Sequence, residues 1–444
     1  AIGARPPYML IEEIRVQGYK SLVDATLHVR PLTLLAGTNS SGKSSIMQPL
    51  LLIKQTMEAP YQPAGALVLS GAHVQAETAG ELVSKIIENN KNYVVSVVGH
   101  SMLTGALQGV FFEQEYHTDG TLFNLVYQRT KADEKSTTLT PDMTREEIGK
   151  EVNFDGAKKI FSGREVEYGE IYKANCFLRV QMVHQSGATM GRRIFTDRIE
   201  GEVERIMHIP GLRSAAKRSY HSTFFQSQIK GTFDLYAAGT ISQWQEQNNT
   251  EALAHLNNSL QRLGLTNSVT AKVKNANEVE LSVNRLPSTS KTKPRKADMV
   301  NIADVGIGVS QVLPILVALI AAQEGQIVYV EQPELHLHPR AQVAMGELLA
   351  EAANRGVRVI VETHSSLLLL TVQTLIAQGK IANTDVGLHW FTRDAKGASQ
   401  VQYVVPDEDG AYGEWPEDFS EIELKAQDAY LTAVGLRQFG EAAQ

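Results

Sequence analysis

Gly37-Thr38-Asn39-Ser40-Ser41-Gly42-Lys43-Ser44-Ser45 fits the pattern G-x-x-x-x-G-K-[ST]. In that pattern a glycine-bearing loop turns backbone N–H groups toward phosphates, and the helix that follows adds the positive end of its dipole. Lys43 then reaches the β/γ-phosphates and the Ser44 hydroxyl holds Mg²⁺, with Asn39, Ser40, Ser41, Gly42 and Ser45 completing the cradle for the nucleotide. Upstream, Pro31 to Ala36 is an apolar run of strand length; downstream, Ile46 to Lys54 is apolar and helix-forming. Strand, loop and helix in that order separate a nucleotide loop from a polar turn that matches by chance.

The chain of 444 residues has room for two or three domains, or for one α/β core with large insertions. Its 43% hydrophobic and 20% charged residues are those of a soluble globular protein, and no run nears the eighteen or so apolar residues of a membrane span. The one cysteine, Cys176, has no partner for an internal disulfide and reads as a core residue. With no secretory pattern at the N-terminus, a reducing cytoplasm is the expected compartment. A net charge of −7 argues against coating nucleic acid by overall basicity, yet leaves room for a local basic face, so DNA stays open as a partner.

Ala1 to Tyr8 reads as a short leader, with Met9 opening the ordered domain. Leu10 to Leu22 reads as a strand, a glycine break and an aromatic-basic turn, and a second strand around Ala25 to Val29 leads to the phosphate loop. Tyr19 and Lys20 are candidates for adenine or ribose contact; an ordinary surface aromatic beside a lysine is the alternative. Alternating segments at Tyr93–Val98, Ala106–Tyr116 and Leu122–Tyr127, the last after an Asp119-Gly120 turn, predict a small antiparallel sheet. Strand character returns at Glu165 to Val183. Helical spacing follows at Arg192–Met207 and Ile241–Leu263, the latter ending at Gly264. No repeat of 20–50 residues and no sustained heptads occur, which excludes long coiled-coil arms. Two basic stretches, Gly211 to Tyr220 and Lys291 to Lys296, are either phosphate contacts or solvated turns around a structural arginine.

The second half carries three further signals. Asp304-Val305-Gly306-Ile307-Gly308-Val309-Ser310-Gln311 opens an apolar helix through Ala322, and is a second anion-binding turn at a helix N-terminus. The strand Gln326 to Val330 ends in Glu331-Gln332-Pro333-Glu334-Leu335-His336-Leu337-His338-Pro339, with an acid where such ATPases organise Mg²⁺. The strand Val357 to Val361 delivers Glu362-Thr363-His364-Ser365 to the carboxyl edge of an open sheet.

In this order the motifs resemble the ATP-binding-cassette branch of P-loop ATPases. More closely, Asp304–Gln311, Glu331–Pro339 and Glu362–Ser365 resemble the overcoming-lysogenization-defect (OLD) and RecF/SMC-like ATPases common in bacterial anti-phage systems. Gly410 to Phe419 resembles the C-terminal signature of one subgroup, whose terminal domain has no assigned role. The resemblance implies an α/β fold, an ABC-type P-loop head of two lobes with an inserted β-rich and helical middle. Residues 9–85 would form the N-terminal lobe, 86–264 the insertion, 265–405 the C-terminal lobe and 406–444 an acidic tail.

The resemblance also implies an ATP sandwich: two copies pair head to tail, so that Gly306, Gly308 and Ser310 of one close over the γ-phosphate held by Gly42, Lys43 and Ser44 of the other. Glu331 matches the metal-organising acid and His364 the switch histidine. Gln332 stands where a glutamate normally polarises the attacking water; an amide orients water but accepts no proton, so hydrolysis is slow unless Glu334 or Glu362 substitutes. His336 and His338 are either two ligands of a zinc site lacking a third or, as the resemblance has it, a structural turn. Gln48, Gln55 and Gln75 are equal candidates for the glutamine that links the lobes. No nuclease resemblance follows Phe419, so the expected nuclease or toxin effector is a separate protein. A sensor ATPase of a multi-protein defence system is the first reading; a DNA-repair ATPase and an ATP-loaded scaffold holding a partner are the alternatives.

Overall fold

The computed structural model describes residues 9–61, 63–103, 106–132, 135–152, 166–184, 189–192, 196–222, 229–285 and 298–413. Strands β1 (Met9–Tyr19), β2 (Leu22–His28) and β3 (Leu32–Gly37) lead to the phosphate loop and helix α1 (Gln48–Glu58). Then come β4 (Asn92–Leu103), β5 (Ala106–Thr118), β6 (Phe123–Ala132), β7 (Lys135–Leu139), α2 (Arg145–Glu151), β8 (Val166–Ala174), β9 (Phe177–His184), β10 (Thr189–Arg192) and α3 (Asp197–Arg205). After these lie β11 (Met207–Ile209), β12 (Tyr220–His221), α4 (Ala237–Glu246), α5 (Thr250–Arg262), β13 (Val269–Asn275), β14 (Glu278–Asn284) and β15 (Met299–Asn301). The last run is α6 (Ile307–Ala321), β16 (Ile327–Glu331), α7 (Pro339–Asn354), β17 (Arg358–Glu362), α8 (Ser366–Ala377), β18 (Val386–Arg393) and β19 (Ser399–Val404).

The central sheet runs β11-β16-β17-β3-β18-β19; its first five strands are parallel and β19 is antiparallel. Parallel strands are covered on both faces, which is why they read as continuous apolar runs. Their alternation still sorts side chains into two cores. Leu32, Leu34, Val328, Val330, Val359, Val361, Leu388 and Trp390 pack with α4 to α8. Leu35, Ile327, Tyr329, Ile360 and Phe391 face the opposite way, against β1, β2, α1 and the strands that follow. Each fully buried Leu, Ile, Val or Phe stabilises the fold by about 1.5–3 kcal/mol, so this sheet is the wall shared by both halves. Its strand order, with the phosphate-loop strand in the middle of a parallel array, is that of an α/β P-loop NTPase.

The antiparallel sheet foreseen between Tyr93 and Tyr127 is larger than its alternation suggests: its order is β2-β1-β4-β5-β6-β7. The expected boundary between residues 85 and 86 therefore falls between strands of one sheet, since β1 pairs with β4 from Met9↔Ser101 to Gln17↔Val94. The helix expected over Ile241–Leu263 is two helices. Asn248 takes a left-handed backbone (φ 53°) and Asn249 caps α5 by accepting from the Ala252 N–H, and both conformations suit asparagine. Gly264 (φ 73°) ends that helix as foreseen. The helix after the phosphate loop is also delayed. A 3₁₀ turn, Ser44–Ile46, comes first, and α1 starts at Gln48 with Pro49 in its first turn, where a missing N–H costs nothing. The stretch Lys291–Lys296, and the signature beyond Gly413, lie outside the described residues. Among the described residues no helix is long and apolar enough to cross a membrane.

Candidate functional site

The loop between β3 and α1 is shaped by three left-handed residues: Gly37 (φ 138°), Ser40 (φ 59°) and Gly42 (φ 97°). A Cβ on Gly37 would stand 2.0 Å from the Phe391 carbonyl oxygen, and one on Gly42 2.4 Å from Ser399 Oγ. Glycine at both places is thus required by packing against β18 and β19 as well as by φ. The N–H groups of Asn39, Ser40, Gly42 and Lys43 find no acceptor among the described residues, and the fully buried Ser41 Oγ has no partner there. Unpaired loop N–H groups of this kind, at the exposed Asn39 and Ser40 and the more enclosed Gly42 and Lys43, are donors for an acceptor-rich ligand. Lys43 Nζ donates to the carbonyls of Gly37 (3.1 Å) and Thr38 (2.7 Å). Burial lowers its pKa, and the charges of Glu362 and Glu334 work against that shift.

The cleft around the loop holds ≈ 490 Å³ and is lined by Lys20, Ser21, Asn39 to Ser45, Gln48, Gln332, Glu362, His364 and Arg393. Ser44 Oγ donates to Glu362 Oε1 at 2.9 Å, and Tyr329 OH donates to Glu362 Oε2 at 3.2 Å. Burial raises the Glu362 pKa, the Ser44 hydrogen bond opposes it, and the neighbouring Glu331 charge adds to it. Burial and the Lys43 charge lower the pKa of His364, whose backbone N–H donates to Glu334 Oε1 (2.7 Å). Glu334 thus holds the His364 backbone and is not among the cleft's lining. Gln332 has a left-handed backbone (φ 46°); its N–H donates to the Glu362 carbonyl (2.7 Å), and its own carbonyl accepts from Arg213 Nη2 (3.1 Å). Gln332 is among the residues that line the cleft.

Glu331 is engaged elsewhere. Its Oε1 lies 3.0 Å from His208 Nε2 and its Oε2 accepts the Gly211 N–H at 3.0 Å. Burial pushes this carboxyl up, but the His208 contact, the Gly211 amide and Tyr329 outweigh it and hold the pKa below the usual value. His208 stacks on Tyr329 (5.2 Å, 14°), and its Nδ1 meets His73 Nδ1 at 2.9 Å. Two Nδ1 atoms at that distance require one ring to donate and the other to accept. His73 Nε2 in turn lies 3.3 Å from Glu58 Oε2, and Glu58 pairs with the buried Lys54 at 3.0 Å. A buried polar chain therefore ties the strand-end acid to the far end of α1.

Gly306, Gly308 and Ser310 do not line this cleft. Gly306 is exposed at the start of α6, with nothing within 4 Å of a Cβ placed there, and Ser310 Oγ donates back to the Ile307 carbonyl at 2.9 Å. In the first basic stretch Arg213 is buried, its guanidinium on the carbonyls of Pro210, Glu331 and Gln332, as a structural arginine. Arg218 forms a two-pronged pair with Asp304 (2.7 and 3.3 Å). His338 caps α7, His336 takes a left-handed turn (φ 64°), and among the described residues no three His, Cys, Asp or Glu group to hold a metal.

A family model described as "AAA domain, putative AbiEii toxin, Type IV TA system" matches residues 32–370, well over half of the chain. The chain belongs to this AAA-domain family. No curated protein matches it. Among solved structures it is similar to an Smc head bound to the C-winged helix domain of ScpA (14% identity, TM-score 0.47, 90% of this chain and 98% of that one). It is also similar to an Smc head domain with an extended coiled coil bound to the C-terminal domain of ScpA from Pyrococcus furiosus (11%, 0.47, 90% and 96%). An SMC head domain from Thermotoga maritima matches at 12% identity and TM-score 0.40, over 89% of this chain and 99% of that one.

For a member of the AAA-domain family, the residues that local spacing did not single out are informative. Arg393 enters the cleft from the end of β18, and His73 and His208 lie behind Glu331; each is isolated in sequence. Of the candidate glutamines, Gln48 lines the cleft and accepts from Tyr19 OH (3.1 Å) and Lys20 Nζ (2.7 Å). Gln55 is buried on the carbonyls of Val68 and Val74. Tyr19 is fully buried against Tyr93, so of the aromatic-basic pair only Lys20 faces the cleft.

Proposed function

We propose that the chain is a Mg²⁺-dependent ATPase of slow turnover, which closes as a homodimer around ATP and works as the sensor of a bacterial anti-phage system with a separate nuclease or toxin effector. The observation that carries the ATPase reading is the open phosphate loop: four unpaired N–H groups and the Lys43 ammonium beside Ser44, with Gln332 and His364 on the same cleft. Backbone N–H groups and a lysine recognise phosphate oxygens without recognising a base. Ser44 and Glu331 are the residues the motif order assigns to the cation, and hydroxyl and carboxylate oxygens are the donors Mg²⁺ takes. When bound, the cation would neutralise charge on the β- and γ-phosphates. The defence role is supported by the OLD-like motif order and by the toxin–antitoxin description of the family.

Gln332 would orient the attacking water without taking its proton, and general-base catalysis typically contributes on the order of 10²–10⁴-fold. A long-lived ATP-bound state follows, which suits a device that waits for a trigger. The test is single-turnover ATP hydrolysis by the wild type and by Gln332→Glu. We expect the variant to be at least about tenfold faster. Equal rates would remove the slow-switch reading, and an absence of ATP binding by calorimetry would remove the ATPase itself.

A further inference from the structure

We propose that Glu362, and not Glu331, is the carboxylate that meets the divalent cation beside Ser44. The inference rests on the reading of the cleft as an Mg·ATP site and names a metal-holding residue within it. Sheet order gives the first reason. β17 lies between β3 and β16, so that Glu362 is registered with Leu35 on one side and with Glu331 on the other. Of the two strand-end acids, Glu362 is the one next to the phosphate-loop strand.

Side-chain geometry gives the second. Glu362 is 5% exposed, lines the cleft, and is fixed from both sides by Ser44 Oγ and Tyr329 OH. Cis oxygens around an octahedral Mg²⁺ with bonds of about 2.0–2.1 Å lie about 2.9 Å apart. Ser44 Oγ and Glu362 Oε1 already have that separation, 2.9 Å. Glu331, by contrast, is absent from the lining, and both its oxygens are used, one by His208 and one by the Gly211 amide. Turning it toward Ser44 would strand a buried imidazole that is itself held by His73 and Tyr329, along with the Gly211 N–H. Two carboxylates on adjacent strand ends also repel one another, and a dication next to one of them relieves both. Glu331 then acts from behind, holding His208 and Tyr329 in place.

The experiment uses the full chain, Mn²⁺ as the spectroscopic probe and a non-hydrolysable ATP analogue. Mn²⁺ affinity is read by electron paramagnetic resonance in the presence of the analogue, and analogue affinity by calorimetry in EDTA. Glu362→Gln is expected to weaken Mn²⁺ at least tenfold while changing metal-free analogue affinity less than twofold; Glu331→Gln should keep Mn²⁺ within threefold. Mn²⁺ affinity within twofold of wild type in Glu362→Gln, or the reverse pattern between the variants, overturns the proposal. Should Glu362→Gln fail to fold, Glu331→Gln decides: retained Mn²⁺ supports the proposal and lost Mn²⁺ sinks it. A wild type that binds neither analogue nor Mn²⁺ removes the ATPase reading as well. A wild type that binds both, with a Glu362→Gln variant that does the same, removes this inference alone.

Discussion

Lys43 keeps two of its three ammonium protons on the carbonyls of Gly37 and Thr38, so its charge is already aimed when a phosphate arrives. A charge-assisted hydrogen bond contributes about 1.5–3 kcal/mol. Lys43→Ala should therefore weaken ATP by roughly 10- to 150-fold in calorimetry, with an unchanged circular dichroism spectrum. Unaltered affinity would take the loop out of the site. At this scale the sequence was legible wherever one local pattern holds all the chemistry, as it does from Gly37 to Ser45. Glu362 was visible only as a spare base, because its closeness to Ser44 depends on which strand lies beside β3, and no spacing along the chain encodes that. Glu334, the other spare base, turns out to hold the His364 N–H, a backbone contact that a motif cannot show.

Helix α3 shows how an element carries a pH dependence. Glu202 is buried there, where Arg205 Nη1 at 3.1 Å, a backbone hydrogen bond from Met9 and the Arg358 charge offset only part of the loss of water, and burial raises its carboxyl to about 7 from 4.5. A carboxyl shifted upward on folding stabilises the fold fully below its unfolded value, and that contribution is lost as pH rises through about 7. Glu202→Gln keeps the acceptor for Arg205 and removes the titration. Between pH 5 and 8, urea unfolding should show the wild type losing on the order of 2–3 kcal/mol more stability than the variant. Parallel pH profiles would mean that Glu202 stays ionised throughout. Elements were read best where a terminator is explicit, as at Gly264. The break at Asn248 was missed because the apolar spacing runs on across it into α5, while the interruption comes from backbone conformation and a side-chain cap.

For the whole molecule, the sandwich reading needs the N-terminus of α6 to be open to a second copy, and Gly306 is exposed there with free space around it. Its φ of −59° accepts any side chain, which makes Gly306→Arg a cleaner probe than a change at the buried Ser310. In light scattering, a non-hydrolysable ATP analogue should double the mass of the wild type and ADP should not; the variant should stay at monomer mass with either. One mass under all conditions would rule out ATP-driven pairing.

The position of β3 has one more consequence, in the order of synthesis. This strand, residues Leu32 to Gly37, is among the first made, yet both its neighbours, β17 and β18, come after residue 357. The loop behind it is braced by Ser399, whose Oγ donates to the Ser41 carbonyl (2.6 Å). A nascent chain on the ribosome therefore carries the complete phosphate motif for most of its translation without the walls that give it shape. Such distant pairings form late and slowly, so the phosphate loop gains its flanking strands and its Ser399 brace only in the last stage of folding.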